Sequence, residues 1–80
     1  RTENTWFVDG QYSIVEFIKF FDLNIEEDTA YDFTTVAGLV IHKNHTLPDI
    51  GDTFFIENYQ LEVIDKDGQR IDKLLVTRLD

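Results

Sequence analysis

Apolar residues recur along the chain with two different periods, and the switches between them divide it into elements. Thr5-Trp6-Phe7-Val8 combines aromatic and β-branched residues and runs into Asp9-Gly10, a turn dipeptide, so a short first strand is predicted to end there. Ile14, Phe17, Ile18 and Phe21 then fall at i, i+3, i+4 and i+7, one apolar stripe of a helix. Ser13 with Glu16 three residues on has the spacing of a capping box at its start. The span from Thr35 to His42 is ambiguous by period, since Val36, Leu39 and Val40 fit a helix while the β-branched residues and Gly38 fit a buried strand; a helix is the preferred reading. Lys43 to Asp52, punctuated by Pro48 and Gly51, reads as a loop.

The last third is β-rich. Thr53-Phe54-Phe55-Ile56-Glu57 and Tyr59-Gln60-Leu61-Glu62-Val63-Ile64 flank Asn58 as a hairpin. Asp67-Gly68 marks a second turn, after which Ile71, Leu74, Leu75 and Val76 supply the apolar positions of a strand between Arg70 and Arg78. The predicted order is β-α-α-β-β-β. It describes an α+β domain, a small antiparallel sheet with two helices packed on one face. Trp6 and Phe7 are assigned to the core, with an exposed anchor for a neighbouring domain as the less favoured alternative.

Length and composition narrow the picture. Eighty residues make a single domain over 1–80, and 42% hydrophobic with 14% aromatic residues is too much apolar mass for a disordered tail. The absence of cysteine excludes a disulfide framework, thiolate catalysis and Cys-ligated zinc or iron–sulfur sites, and fits a reducing compartment. Sixteen acidic against seven basic residues leave a net charge of −9, a field that repels nucleic-acid backbones and anionic membrane surfaces. No stretch approaches the roughly 18 consecutive apolar residues of a membrane span. The sequence opens on Arg1-Thr2-Glu3-Asn4, without a signal-peptide pattern or an initiating Met, so a fragment of something longer is expected.

Candidate chemistry is sparse. Ser13 is the single serine and is used as a helix cap, so a nucleophile–base pair has no obvious members. Neither phosphate-cradling glycine motif occurs. Asp65-Lys66-Asp67-Gly68 matches the opening of a calcium loop, but only Asp72 follows where further ligands are needed, and turn chemistry already accounts for Asp67-Gly68. His42 and His45 with Asp49 and Asp52 form a set with ligand chemistry for a divalent metal at a spacing that is not specific. The acidic run Glu26, Glu27, Asp28 and Asp32, preceded by Asp22, reads as a solvated loop able to attract Mg²⁺ or Ca²⁺ loosely. No catalytic, cofactor-binding or metal-ligating residue is therefore assigned.

Several short segments, in their order, resemble the CorC/HlyC transporter-associated domain over nearly the whole chain. They are Trp6 with Asp9-Gly10; Thr35-Val36-Ala37-Gly38-Leu39-Val40; Pro48-Asp49-Ile50-Gly51-Asp52; Phe54; Glu62-Val63; and Asp67-Gly68 with Arg70-Ile71-Asp72-Lys73. His42 to Leu47 departs from that pattern, which commonly has a glycine-containing turn before the proline. Gly38 inside a helix implies close approach to the sheet, and Gly51 a backbone angle closed to side chains. The resemblance implies a fold similar to the FAD-binding domain of PCMH-type oxidoreductases without the flavin, since the cleft and pyrophosphate loop of such sites are missing here. It also implies a C-terminal module on the cytoplasmic side of the cell membrane, following a CBS pair and a membrane-embedded domain.

Three functions are then in contention. The leading one is a non-catalytic accessory domain that contacts the CBS pair and membrane domain of its own chain and modulates transport by a magnesium/cobalt-efflux or hemolysin-like protein. A divalent-cation or small-ligand sensor using the acidic surface is the alternative, and a small nucleotide- or flavin-dependent enzyme ranks third. Edge strands leave a homodimer open.

Overall fold

The computed structural model describes residues 4–25 and 33–79. The acidic segment from Glu26 to Asp32, read above as a solvated loop, lies outside the described residues. The elements are β1 (Thr5–Asp9), α1 (Ile14–Phe21), α2 (Val36–Asn44), β2 (Thr53–Ile56), β3 (Tyr59–Asp67) and β4 (Arg70–Arg78), in the order read from the sequence.

Local chemistry sets most boundaries. The Ser13 hydroxyl accepts a hydrogen bond from the Glu16 amide at 3.4 Å, the first half of the expected capping box. Asp22 ends α1 in the left-handed region at φ 53°, donating its N–H to the carbonyls of Ile18 and Lys19. Thr35 caps α2 by accepting the Gly38 amide at 3.1 Å. The helix then runs through Lys43 and Asn44, two residues into the span read as loop. It stops because His45 takes a left-handed conformation, φ 67°, with its N–H on the Ile41 carbonyl at 2.8 Å. A glycine ordinarily fills that role; here a histidine does, within the span from His42 to Leu47. Asn44 braces it through its side-chain amide, which donates to the Thr46 carbonyl and hydroxyl.

All four strands are antiparallel, in the order β1-β4-β3-β2. The meander β2–β3–β4 is as predicted, and β1 joins it alongside β4, so the first and last strands are neighbours. A two-residue turn at Gly68-Gln69 joins β3 to β4, and the ladder slips locally where Asp65 faces Lys73 before resuming at Lys66 and Ile71. The Pro48–Asp52 loop is stitched to the sheet: Gly51 N–H donates to the Val63 carbonyl and Val63 N–H to the Asp52 carbonyl. Gly51 stands at φ +96°, the angle anticipated for it.

Alternation along the strands decides what is buried. Val8, Leu61, Val63, Ile71, Leu74 and Val76 face the helices, where they meet Ile14, Phe17, Phe21, Val36, Leu39 and Val40 in one core. Phe7 points the other way and is 59% exposed, so its assignment to the core is overturned by the period of the strand itself. Leu75 sits opposite Phe7 on the same outward face. The close neighbour of Gly38 is Phe33, just before the helix, where a Cβ at Gly38 would collide with the Phe33 side chain; helix–sheet contact is not what the glycine serves.

Candidate functional site

The sequence offered three clusters that could hold a metal, and the structure disperses the two that fall on described residues. His42 is exposed in the last turn of α2 with its ring 5.4 Å from that of Phe33, and His45 is the cap. Asp49 and Asp52 turn on each other, the Asp52 carboxylate accepting the Asp49 amide at 2.9 Å. Asp67 and Asp72 flank Arg70, which bonds Asp72 through Nε at 2.9 Å and Asp67 through a terminal nitrogen at 3.2 Å. These pairs, the Asp72 hydrogen bond first, raise the Arg70 pKa. Among the described residues, no three His, Asp or Glu side chains converge as a metal would require.

What the fold does assemble is aromatic. Trp6 packs edge-on against Phe21 at 5.1 Å, Tyr59 at 6.3 Å and Phe20 at 6.5 Å between ring centroids, and Phe21 is also within 5 Å of Phe17, Phe20 and Tyr59. Such edge-to-face pairs contribute beyond their buried area. The cluster is anchored in the core by Phe17 and Phe21 and surfaces at Phe20, which is 63% exposed. Between Phe20, Phe21 and Tyr12 on one side and the run from Trp6 to Asp9 on the other lies a shallow, open, mainly apolar cleft of about 200 Å³. Four consecutive strand residues line it, so the cleft follows the backbone edge of β1.

The opposite face of the sheet is also apolar in part. Register places Phe7 beside Leu75, and Lys73 holds its ammonium 5.9 Å from the Phe7 ring centre. Phe55 on β2, 58% exposed, extends the apolar content of the sheet surface. Ser13 is occupied as a cap. The arrangement is suited to seating other apolar surface. Sequence reasoning missed the cleft because Phe20 lies off the apolar stripe of α1 and its closeness to Trp6 depends on how helix and strand pack.

A four-stranded antiparallel sheet with two helices on one face and an aromatic cleft at one edge defines a small α+β domain. Residues 1–80 match the family described as "Transporter associated domain" (CorC_HlyC), and the chain belongs to that family. Among curated proteins, it is 36% identical over 80 residues to the polyamine export protein of Salmonella typhimurium, covering 100% of this chain and 18% of that protein. It is 39% identical over 82 residues to the UPF0053 protein sll0260 of Synechocystis, covering 99% of this chain and again 18% of the relative. The chain thus spans about a fifth of the length of the curated relatives it matches. Among solved structures, a CorC_HlyC domain from a Xylella fastidiosa hemolysin in complex with Mg²⁺ and Mn²⁺ superposes with a TM-score of 0.87 at 30% identity, covering 100% of this chain and 94% of that one.

Proposed function

We propose that the chain works as a non-catalytic accessory domain of a longer membrane transporter, lying on the cytoplasmic side after a CBS pair and biasing transport through contacts with that pair and the membrane domain. The observation that carries this reading is the match to a transporter-associated domain over residues 1–80, by a chain that spans 18% of its curated relatives. An interaction role is supported by the large apolar side chains left exposed at Phe7, Phe20 and Phe55. The cargo on this reading is cationic: magnesium or cobalt by the family resemblance, a polyamine by the names of the relatives.

Influence over transport requires that the domain contact two states of the transporter differently. Deleting residues 1–80 from the full-length protein is therefore expected to change the rate or the cation dependence of efflux, measured with Mg²⁺, Co²⁺ and a polyamine in separate assays. Identical efflux by the truncated and intact proteins under every cation condition refutes the proposal. Association of two copies through a sheet edge belongs to the same reading.

The cation-sensing reading has one observation in its favour, the Mg²⁺ and Mn²⁺ in the Xylella domain. Calorimetric titration of this chain with both ions tests it, and a flat trace at millimolar metal rejects it. Charge attraction alone would be screened by moderate salt, whereas a formed site would persist.

A further inference from the structure

β2 is one edge of the sheet, and the pairing on either side of it sets which of its backbone groups point outward. Val63 N–H donates to the Asp52 carbonyl at 3.0 Å, and the two-residue turn Glu57-Asn58 closes the hairpin on the facing pair Ile56 and Tyr59. Bonded and non-bonded pairs alternate in an antiparallel ladder, so Asp52, Phe54 and Ile56 face β3 while Thr53 and Phe55 turn their N–H and C=O away from it. Among the described residues nothing bonds those four outward groups, and both residues are exposed. The β1 edge differs: its Asp9 carbonyl accepts the Tyr12 amide at 3.0 Å, and Lys73 stands opposite Asp9.

The surroundings of β2 carry one sign of charge. From Asn44 to Asp65 there are five carboxylates, Asp49, Asp52, Glu57, Glu62 and Asp65, and neither a lysine nor an arginine. Asp52 and Glu57 flank the two ends of β2, and Glu62 lies opposite Thr53. The Asp52 carboxylate accepts the Asp49 amide at 2.9 Å and the Glu57 carboxylate the Asn24 amide at 2.6 Å, so backbone amides fix their position. Among the described residues none of the five joins an ion pair. Lys66, the first base beyond the span, holds its ammonium on the Pro48 carbonyl.

We propose that β2 receives an extended, basic polypeptide segment as a fifth strand, and that the segment is a Lys/Arg-rich loop of the membrane domain in the same longer protein. The proposal deepens the accessory-domain reading, on which the source of the segment rests: cytoplasmic loops close to membrane spans carry an excess of Lys and Arg. Two features select this occupant. Pairing at Thr53 and Phe55 asks only for an extended backbone, and an antiparallel segment makes two reciprocal pairs there, four main-chain hydrogen bonds. The carboxylates at both ends of β2 and beside it then favour a segment with Lys or Arg flanking the paired residues, and disfavour an acidic one. A second copy of the chain would bring its own Asp52 and Glu57 to the seam, between two bodies of net charge −9.

A capped peptide with valine and threonine at its centre and lysines at both ends, titrated into the isotope-labelled chain and followed by amide NMR, tests the pairing. Binding is expected with a Kd on the order of 100 μM at low salt, weakening several-fold as salt screens the carboxylates. At saturation the Thr53 and Phe55 amides are expected to exchange with solvent about tenfold more slowly. The same peptide with glutamate for lysine is expected not to bind. Phe55→Pro removes one outward N–H, a change tolerated on edge strands, and is expected to abolish binding with an unchanged circular dichroism spectrum. If Phe55→Pro fails to fold, Asp52→Asn with Glu62→Gln keeps an acceptor at both positions and is expected to weaken binding about three- to tenfold. In the full-length protein, a photo-cross-linking phenylalanine analogue at position 55 is expected to capture a Lys/Arg-rich loop of the membrane domain. No binding by the basic peptide, equal binding by the acidic one, or unchanged exchange at Thr53 and Phe55 overturns strand addition; capture of any other segment, a second copy's β2 included, or of none, overturns the source. Efflux unchanged by the deletion with the peptide still bound refutes the transport reading alone, and altered efflux without peptide binding refutes strand addition alone.

Discussion

Gly10 marks the tightest point of the fold, and its replacement by alanine is the sharpest test of how the sheet is closed. Its N–H donates to the Asp72 carbonyl at 2.9 Å, and its own carbonyl accepts the Ala37 amide at 2.8 Å, so one residue clips β1 to β4 and both to the start of α2. A Cβ at this position would overlap the Ile71 carbonyl oxygen and lie 2.9 Å from the Ile71 carbonyl carbon. Those are backbone atoms, which cannot swing aside as a flexible side chain would. Relief requires β1 to back away from β4, lengthening both hydrogen bonds, each contributing about 1 kcal/mol net. Overpacking strain adds about 1–3 kcal/mol, and the stiffer unfolded chain returns about 0.4–1 kcal/mol. The expected net loss is about 3 kcal/mol, a large share of the stability of a domain this small. Urea unfolding followed by Trp6 fluorescence and far-ultraviolet circular dichroism reads this directly. With a slope of about 1 kcal/mol/M the midpoint is expected to fall by about 3 M. Gly68→Ala is the control: it has open space around its Cβ but a φ of +63°, and is expected to cost about 1–2 kcal/mol from backbone strain alone. If Gly10→Ala costs no more than Gly68→Ala, the close approach to Ile71 is refuted.

Two further substitutions probe single contacts. Thr35→Ala removes the cap that holds the Gly38 amide at 3.1 Å and is expected to cost about 1 kcal/mol by thermal unfolding, more than Ser13→Ala, whose cap bond is longer at 3.4 Å and exposed; equal losses would count against ranking the caps by geometry. Lys66→Met strips the ammonium from the carbonyl of buried Pro48, 2.9 Å away, and is expected to cost about 1–2 kcal/mol in urea unfolding, with faster amide exchange at Gly51; an unchanged midpoint would show that water replaces the lysine.

The elements themselves were legible because each carries a local signal. The stripe of Ile14, Phe17, Ile18 and Phe21 states a helix, and Asp67-Gly68 a hairpin, without reference to the rest of the molecule. The ambiguous Thr35–His42 segment resolved as a helix, with Val36, Ala37, Leu39 and Val40 all buried. That broad buried face, wider than one stripe, is why its periodicity was blurred. Two features had no local signal. The pairing of β1 with β4 joins residues about seventy positions apart, and nothing in Thr5–Asp9 says which strand it will meet. The environment of Gly38 depends on where Phe33 folds back, and its spacing alone could not separate that from contact with the sheet. The candidate site was less legible than the fold: composition announced the aromatic residues, but the cleft exists only once Phe20 is set beside Trp6.

The neighbouring placement of β1 and β4 has a mechanical consequence. Asn4 and Arg78 lie side by side, joined by the Arg78 amide bond at 2.8 Å and by a guanidinium bond to the Asn4 side chain at 3.1 Å. Tension applied across the two ends of the domain pulls these antiparallel strands apart from one end. It loads the hydrogen bonds one after another, as a zip opens, and never shears them together. Force applied between the two termini would therefore open the domain first at Asn4 and Arg78 and peel the strands in sequence.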